Sequence, residues 1–294
     1  RMNKYTVYGL SFFAALFIIM GSYIFYNTNV LNEYHRPKYY EQRSADYEKK
    51  YKKYKNRLLP KITSVKGEVH LYPSDSRVEF SGIYGMKNKT GLVIDTIHSN
   101  FSANFPYEKY DWSINNQLVE RDSIFGWDMY VFNPPIMPGD EFFLEFSGQR
   151  ERKGFSNSGV DMTVVENGTL IFSSQILPTF GYDPDRELRQ KRTRKKYDLE
   201  EEKDPMPSYN DSEGLKNGIL GDDADWVNYE MIMSTDADQI AITPGYLQKE
   251  WSENGRKYFH YKMDKPIHNA FAFVSGKYAV MKEVWDGIDL EILY

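Results

Sequence analysis

The sequence contains no cysteine. That excludes disulfides, thiolate metal sites and a cysteine nucleophile. Histidine is scarce, with five in 294 residues. No His-Glu-x-x-His, no phosphate-binding loop and no Gly-x-Ser-x-Gly occurs, so the chain carries no recognisable catalytic motif and no metal-ligand motif. Charge is absent from one long stretch near the start, Tyr5 to Tyr26. A segment of about 20 apolar residues crosses the hydrocarbon core of a bilayer as a helix. A secretory signal has a shorter core, roughly 7–15 residues, and an Ala-x-Ala-like cleavage site. This segment is longer and ends in Tyr23, Ile24, Phe25, Tyr26 and Asn27 without such a site. Tyr5, Tyr8, Tyr23 and Tyr26 lie at its two ends, where aromatic belts belong. It reads as a retained transmembrane helix over residues 1–28.

Charge on the rest is divided. Residues 1–60 carry 11 basic and 4 acidic groups, the remainder 26 and 38, within a total of −5. A basic juxtamembrane stretch beside an acidic body suits anionic lipid head groups near the anchor and argues against nucleic acid as a partner. Basic residues flank the span on both sides (Arg1 and Lys4, then Arg36, Lys38 and Arg43), so orientation does not follow from them. The chain starts on Arg1 and stops inside an alternating run, Ile288 to Leu293. The expectation is a fragment of a longer protein.

Residues 38–59, between Pro37 and Pro60, are expected to form a helix. Tyr40, Tyr47, Tyr51, Tyr54 and Leu58 make one apolar stripe on it, which packs on its own domain or lies against lipid or a partner helix. Residues 29–60 are thus a juxtamembrane amphipathic helix and linker. From Ile62 the texture turns to strands: Val65–Tyr72, Arg77–Met86, Gly91–His98, Tyr110–Leu118, Asp128–Phe132 and Asp140–Gly148. Val160–Val165 and Thr169–Ser173, split by Asn167-Gly168, read as a hairpin. Strands resume at Trp226–Ser234, Gln239–Thr243, Lys257–Met263, Asn269–Ser275, Tyr278–Val284 and Ile288–Leu293. Asp183-Pro184 reads as a helix N-cap. Residues 183–225 form a charged helical and irregular insertion, whose basic and acidic run is expected to be a solvated face. The fold class is mainly β: an antiparallel saddle or sandwich over residues 61–294.

Few residues invite chemistry. His260 and His268 lie eight apart across a turn, unlike the four-residue spacing of a helical metal pair, and are expected to be satisfied sheet or loop histidines. Asp222, Asp223 and Asp225 lack the alternation of a calcium loop and read as a turn cluster before the Trp226 strand. The most peculiar stretch is Gln175-Ile-Leu-Pro-Thr-Phe-Gly-Tyr. Its uncharged polar and aromatic groups at a strand end suit a cleft wall, or a turn held by Pro178 and Gly181.

The order of pieces resembles the N-terminal β domain of aminopeptidase N-type zinc peptidases, in the membrane-embedded bacterial form fused to an ABC transporter permease. Val69-His-Leu-Tyr-Pro with Arg77-Val-Glu-Phe-Ser-Gly is similar to the family's opening hairpin. Met137-Pro-Gly-Asp-Glu-Phe-Phe-Leu-Glu-Phe-Ser-Gly resembles its proline-glycine element. Gln239-Ile-Ala-Ile-Thr-Pro-Gly-Tyr-Leu, Tyr258-Phe-His-Tyr-Lys-Met-Asp-Lys-Pro-Ile and Phe273-Val-Ser-Gly-Lys-Tyr resemble its last strands. Gln175-Ile-Leu-Pro-Thr sits where the family has the loop that reaches the substrate's amine.

The resemblance implies a non-catalytic domain that walls a peptide-binding cleft, with Gln175 and Thr179 as substrate-binding residues. It implies no catalytic residue, metal or cofactor in this chain, and zinc in a downstream catalytic domain of the same protein. It places the protein in a bacterial inner membrane with its C-terminal domain extracytoplasmic. The family's amine-reading side chain falls on Leu177, which cannot pair an ammonium; Gln175 would supply a carbonyl contact instead. The alternative is a permease-linked extracytoplasmic binding or sensor domain without peptidase activity.

Overall fold

The computed structural model describes residues 3–101, 107–157, 162–201, 208, 210–212 and 225–294. Residues 202–207, 209 and 213–224 of the expected insertion 183–225, with Asp222 and Asp223 among them, lie outside these residues, as does the start of the expected Val160–Val165 strand. The chain divides into two units, residues 1–40 with 152–161, and residues 41–151 with 162–294.

The first unit is built on α1 (Lys4–Phe25). With 22 residues it spans about 33 Å at 1.5 Å per residue. None of its residues is buried, and its length and composition suffice to cross a membrane. Its last turn widens to π-helix over Tyr26–Leu31. The cause is local: Asn27 Nδ2 donates to Tyr23 O (2.9 Å) and Thr28 Oγ1 to Ile24 O (2.8 Å), side-chain bonds that compete for the helical carbonyls. Asn32 Nδ2 donates to Lys153 O and Phe155 O, 2.8 and 3.2 Å. Gly154, with φ +62°, fits against Asn27; a Cβ there would stand 2.2 Å from Asn27 Oδ1.

A second helix, α2 (Pro37–Tyr51), follows and gives way to a 3₁₀ turn at Lys52–Tyr54. It is shorter than the expected 38–59. Its tyrosines answer the question the stripe posed. Tyr47 and Tyr51 are buried against Trp127, Phe125, Tyr54 and Tyr182 of the second unit, to which α2 belongs from Glu41 onward. Tyr47 stacks on Tyr182 at 5.3 Å and Tyr51 on Trp127 at 4.5 Å.

In the second unit the strands run β1 (Lys61–Tyr72), β2 (Arg77–Lys87), β3 (Ile94–Asn100), β4 (Lys109–Trp112), β5 (Asn116–Asp122) and β6 (Trp127–Ile136). They continue with β7 (Glu141–Glu151), β8 (Thr169–Phe172) and β9 (Thr179–Phe180), then the short helix α3 (Lys191–Lys196). After it come β10 (Trp226–Asp236), β11 (Ile240–Ile242), β12 (Tyr246–Glu253), β13 (Arg256–Lys262), β14 (Ile267–His268) and β15 (Ala272–Gly276). The last pair is β16 (Val280–Trp285) and β17 (Ile288–Leu293).

The fold is mainly β, as the alternation implies. The largest sheet has the order β12-β13-β10-β1-β2-β7-β4, with β14 on β10. A second is β5-β6-β3-β9, a third β11-β15-β8, and β16–β17 form a ribbon. Residues of one parity face inward. Val65, Val69 and Leu71 of β1, Val78, Phe80, Tyr84 and Met86 of β2, and Phe142, Leu144 and Phe146 of β7 enter one core. Burying each such side chain contributes about 1.5–3 kcal/mol before entropy is charged against it.

Three expectations are corrected. Among the described residues the strands pair antiparallel except that β1 and β10 pair in parallel, Val65 opposite Tyr229 and Val69 opposite Met233, so the main sheet is mixed. Val160–Val165 and Thr169–Ser173 do not make a hairpin; the described residues 162–165 are not strand, and β8 pairs with β15. The charged run is not wholly solvated. Arg194 of α3 is buried in an ion pair with Glu48 of α2, because a charge can leave water when a partner and hydrogen bonds replace it.

Candidate functional site

The Gln175 loop is built by its backbone. Phe172 ends β8, and Ser173–Gln175 make a 3₁₀ turn in which the Leu177 N–H donates to Ser173 O at 2.8 Å. Ile176 and Leu177 are each 4 % exposed and belong to the core. Tyr84 Oη reaches Pro178 O at 3.3 Å from beneath. Thr179 and Phe180 then pair with Asn100 and Ser99 of β3. Gly181 turns the chain at φ +80° and donates to His98 O at 2.9 Å, while Asn100 Nδ2 donates to Gly181 O at 2.8 Å. The loop is fixed at both ends: Ile176, Leu177 and Pro178 are buried in succession, while Gln175 before them is exposed and Thr179 after them is half-buried.

The outward residues line a cavity of about 320 Å³. Gln175 and Thr179, the two residues the sequence singles out, both lie on its wall. Gln175 Oε1 accepts from Phe172 N at 2.8 Å; its amide nitrogen has no protein partner among the described residues. Leu177, where the resemblance expects an amine reader, lines the same cavity with an apolar side chain. A second cavity, about 710 Å³, opens beyond Thr179 and Asn100, which line both. Lys55, Arg57 and Phe172 border it.

Sequence reading missed the arginines. Arg43 of α2, Arg150 of β7 and Arg186 of the turn after β9 line the first cavity, with Asp183. Arg186 Nη2 donates to Phe125 O at 2.8 Å and its guanidinium lies 4.0 Å from the Tyr47 ring centre. Arg43 Nη2 donates to Ile124 O. Asp183 caps its own turn, accepting from Asp185 N at 3.0 Å, and burial holds its carboxyl above the usual range. Burial likewise pushes the Tyr47 phenol up to about 12. The one signal in the sequence was the Asp183-Pro184 cap, which brings Arg186 round; the other arginines come from far along the chain.

The remaining candidates are structural. His260 Nε2 lies 3.0 Å from Glu230 Oε1 on the neighbouring strand, and His268 packs on Trp226 with ring centres 4.1 Å apart. Asp225 pairs with Lys89 at 2.5 Å and caps Trp226 N at 2.8 Å. Among the described residues no group of three His, Asp or Glu side chains could hold a metal ion.

No family model and no curated protein matches the sequence. Among solved structures the chain is similar to an M1 zinc metallopeptidase from Deinococcus radiodurans, at 11 % identity over 78 % of this chain and 44 % of that one, with a TM-score of 0.46. It is also similar to aminopeptidase A from Legionella pneumophila, at 13 % identity over 81 % of this chain and 24 % of that one, with a TM-score of 0.48. The chain thus spans less than half the length of these two proteins.

Proposed function

We propose that this chain is the non-catalytic N-terminal β domain of a membrane-anchored zinc aminopeptidase-like protein fused to a transporter permease, and that it walls the peptide-binding cleft. The observation that carries this reading is the Gln175 loop. It lays Gln175 and Thr179 together on a cavity whose other walls include Phe80, Phe101, Tyr107 and Phe125. Aromatic faces with a few convergent polar groups suit a short peptide. The ordered motifs that resemble the peptidase family point the same way. Zinc and the attacking water would come from a downstream domain; this chain contributes position only, and α1 anchors it in the bacterial inner membrane with the β domain outside the cytoplasm.

The reading is tested in the longer protein that carries the zinc domain. Gln175→Ala is expected to lower kcat/KM for peptides by about tenfold, the scale of one positioned polar contact, and the chain alone with added zinc is expected to show no turnover. Unchanged turnover in the variant would contradict the cleft-wall role.

The alternative, a permease-linked extracytoplasmic binding or sensor domain without peptidase activity, is favoured by the larger cavity beside Thr179, which offers ligand volume without any metal. Peptide binding with no turnover in the longer protein would select it.

A further inference from the structure

The loop after β7 is fastened to the C-terminal end of α1. Asn32 Nδ2 donates to Lys153 O at 2.8 Å and to Phe155 O at 3.2 Å. Gly154 between them approaches so closely that a Cβ would stand 2.2 Å from Asn27 Oδ1 and 2.8 Å from Leu31 Cδ2. Asn27 and Thr28 are buried there and turn their own side chains onto Tyr23 O and Ile24 O. The Phe155 ring reaches Tyr23, with ring centres 5.9 Å apart. Residues 152–161 belong with residues 1–40 in one compact unit. Even so, Phe155 and Tyr23 stay 42 % and 62 % exposed, so two aromatic rings stand open side by side.

We infer that this loop is a second membrane contact, with Phe155 set in the phospholipid head-group layer beside Tyr23. The inference rests on the reading of α1 as a membrane anchor and extends it to a segment distant in sequence. Depth supports it first. Tyr23 is two residues from the end of α1, about 3 Å along the axis at 1.5 Å per residue. A helix of about 33 Å slightly exceeds a hydrocarbon core of about 30 Å. The last turn of α1 therefore lies at the boundary, where aromatic rings are favoured, and Phe155 shares that level through its contact with Tyr23. Polar satisfaction supports it next. Backbone polar groups near hydrocarbon need partners within the protein. Lys153 O and Phe155 O find theirs in Asn32, while Asn27 and Thr28 give their donors to helical carbonyls rather than to water. The exposed ring is the third support. A phenyl group gains by leaving water, and at the level of Tyr23 the apolar medium at hand is lipid. A soluble partner would have to displace head groups to reach it. One ring adds to the hold of α1 without replacing it.

The test uses the full chain in vesicles of phosphatidylethanolamine and phosphatidylglycerol. A photoreactive phenylalanine analogue, which keeps an aromatic ring, replaces Phe155, Phe17 within α1, or Lys249 on the exposed strand β12. Lipid adducts are read by mass spectrometry after illumination. Strong adducts are expected from positions 155 and 17, and only background from 249. Asn32→Ala, combined with the analogue at 155, is expected to lower that adduct several-fold. Combined with the analogue at 17, it should leave the adduct unchanged, and the thermal midpoint of the β domain should stay as in the parent chain. Adducts from 17 with background from 155 would overturn the loop contact and leave the anchor reading standing. Background from all three positions would remove both. An adduct from 155 that Asn32→Ala leaves unchanged would overturn the fastening on which the inference stands. A crosslink from 155 to a second protein chain in place of lipid would overturn the lipid assignment.

Discussion

Arg194 grips Glu48 with both ends of its guanidinium, Nη2 to Oε1 at 2.7 Å and Nη1 to Oε2 at 2.9 Å, and each side chain is only 2 % exposed. Arg194 Nε and Nη1 also donate to Glu200 O and Leu188 O, at 2.7 and 2.6 Å. The pair ties α2 to the segment around α3. Removing one partner strands a buried charge, which costs about 3–5 kcal/mol. Arg194→Ala is therefore expected to lower the unfolding free energy read from urea denaturation by that amount, and the double variant Glu48→Leu with Arg194→Met by far less than the two single changes together. A loss under 1 kcal/mol in Arg194→Ala would mean that the pair is solvated.

Acid should weaken the fold in two steps. His98 is buried between Tyr54 and Trp127, with ring centres at 4.4 and 4.9 Å. Burial, with the nearby Arg57 charge, lowers its pKa from 6.5 to about 4. The unfolded chain therefore binds this proton first, and stability falls as pH drops from about 6.5 to about 4. Thermal midpoints across that window should drop less steeply in His98→Phe, which keeps the ring contacts and cannot titrate. A second loss, which sets in below about 4.5 and so overlaps the foot of the first, belongs to Glu48. Burial works to raise its carboxyl, but the hydrogen bonds from Arg194 and Lys52 outweigh that and hold it below the ordinary 4.5. Its contribution is complete above 4.5 and disappears as pH falls through the lowered value.

Gly181 sets the end of the candidate loop. Its φ of +80° disfavours any other residue, and a Cβ would stand 2.6 Å from Leu59 Cδ1. Gly181→Ala is expected to cost about 1–3 kcal/mol, read by chemical denaturation. It should also weaken peptide binding, because it displaces Thr179 two residues away.

Deleting residues 1–28 should release the chain from membranes into the soluble fraction after alkaline extraction. The intact chain should stay with the membrane, as expected for a span of this length. Equal release of both would contradict the anchor.

Strands were readable wherever one face was buried, as in β2 with Val78, Phe80 and Tyr84 alternating. The edge strand β12 is exposed on both faces, so it left no alternation to read. Partners were harder than strands. The period of two fixes which side chains face the core and says nothing of which strand lies alongside, so the parallel β1–β10 pairing had no local signal. Asn167-Gly168 does carry a turn signal, but β8 finds its partner in β15 through tertiary packing. Arg194 stands in a run of basic residues, and only the fold decides which of them meets Glu48. At the site, Gln175 and Thr179 stood out as a local anomaly. Arg43, Arg150 and Arg186 did not, since α2, β7 and the turn after β9 converge only in three dimensions.

The most direct test of the cleft is site-specific photocrosslinking. A photoreactive phenylalanine analogue replaces Thr179, or replaces Lys249 on the exposed edge strand β12 as a control, in the full chain with labelled peptide. The account expects strong labelling from position 179, competed by unlabelled peptide, and background labelling from position 249. Labelling that is equal at the two positions, or absent at 179, would contradict it.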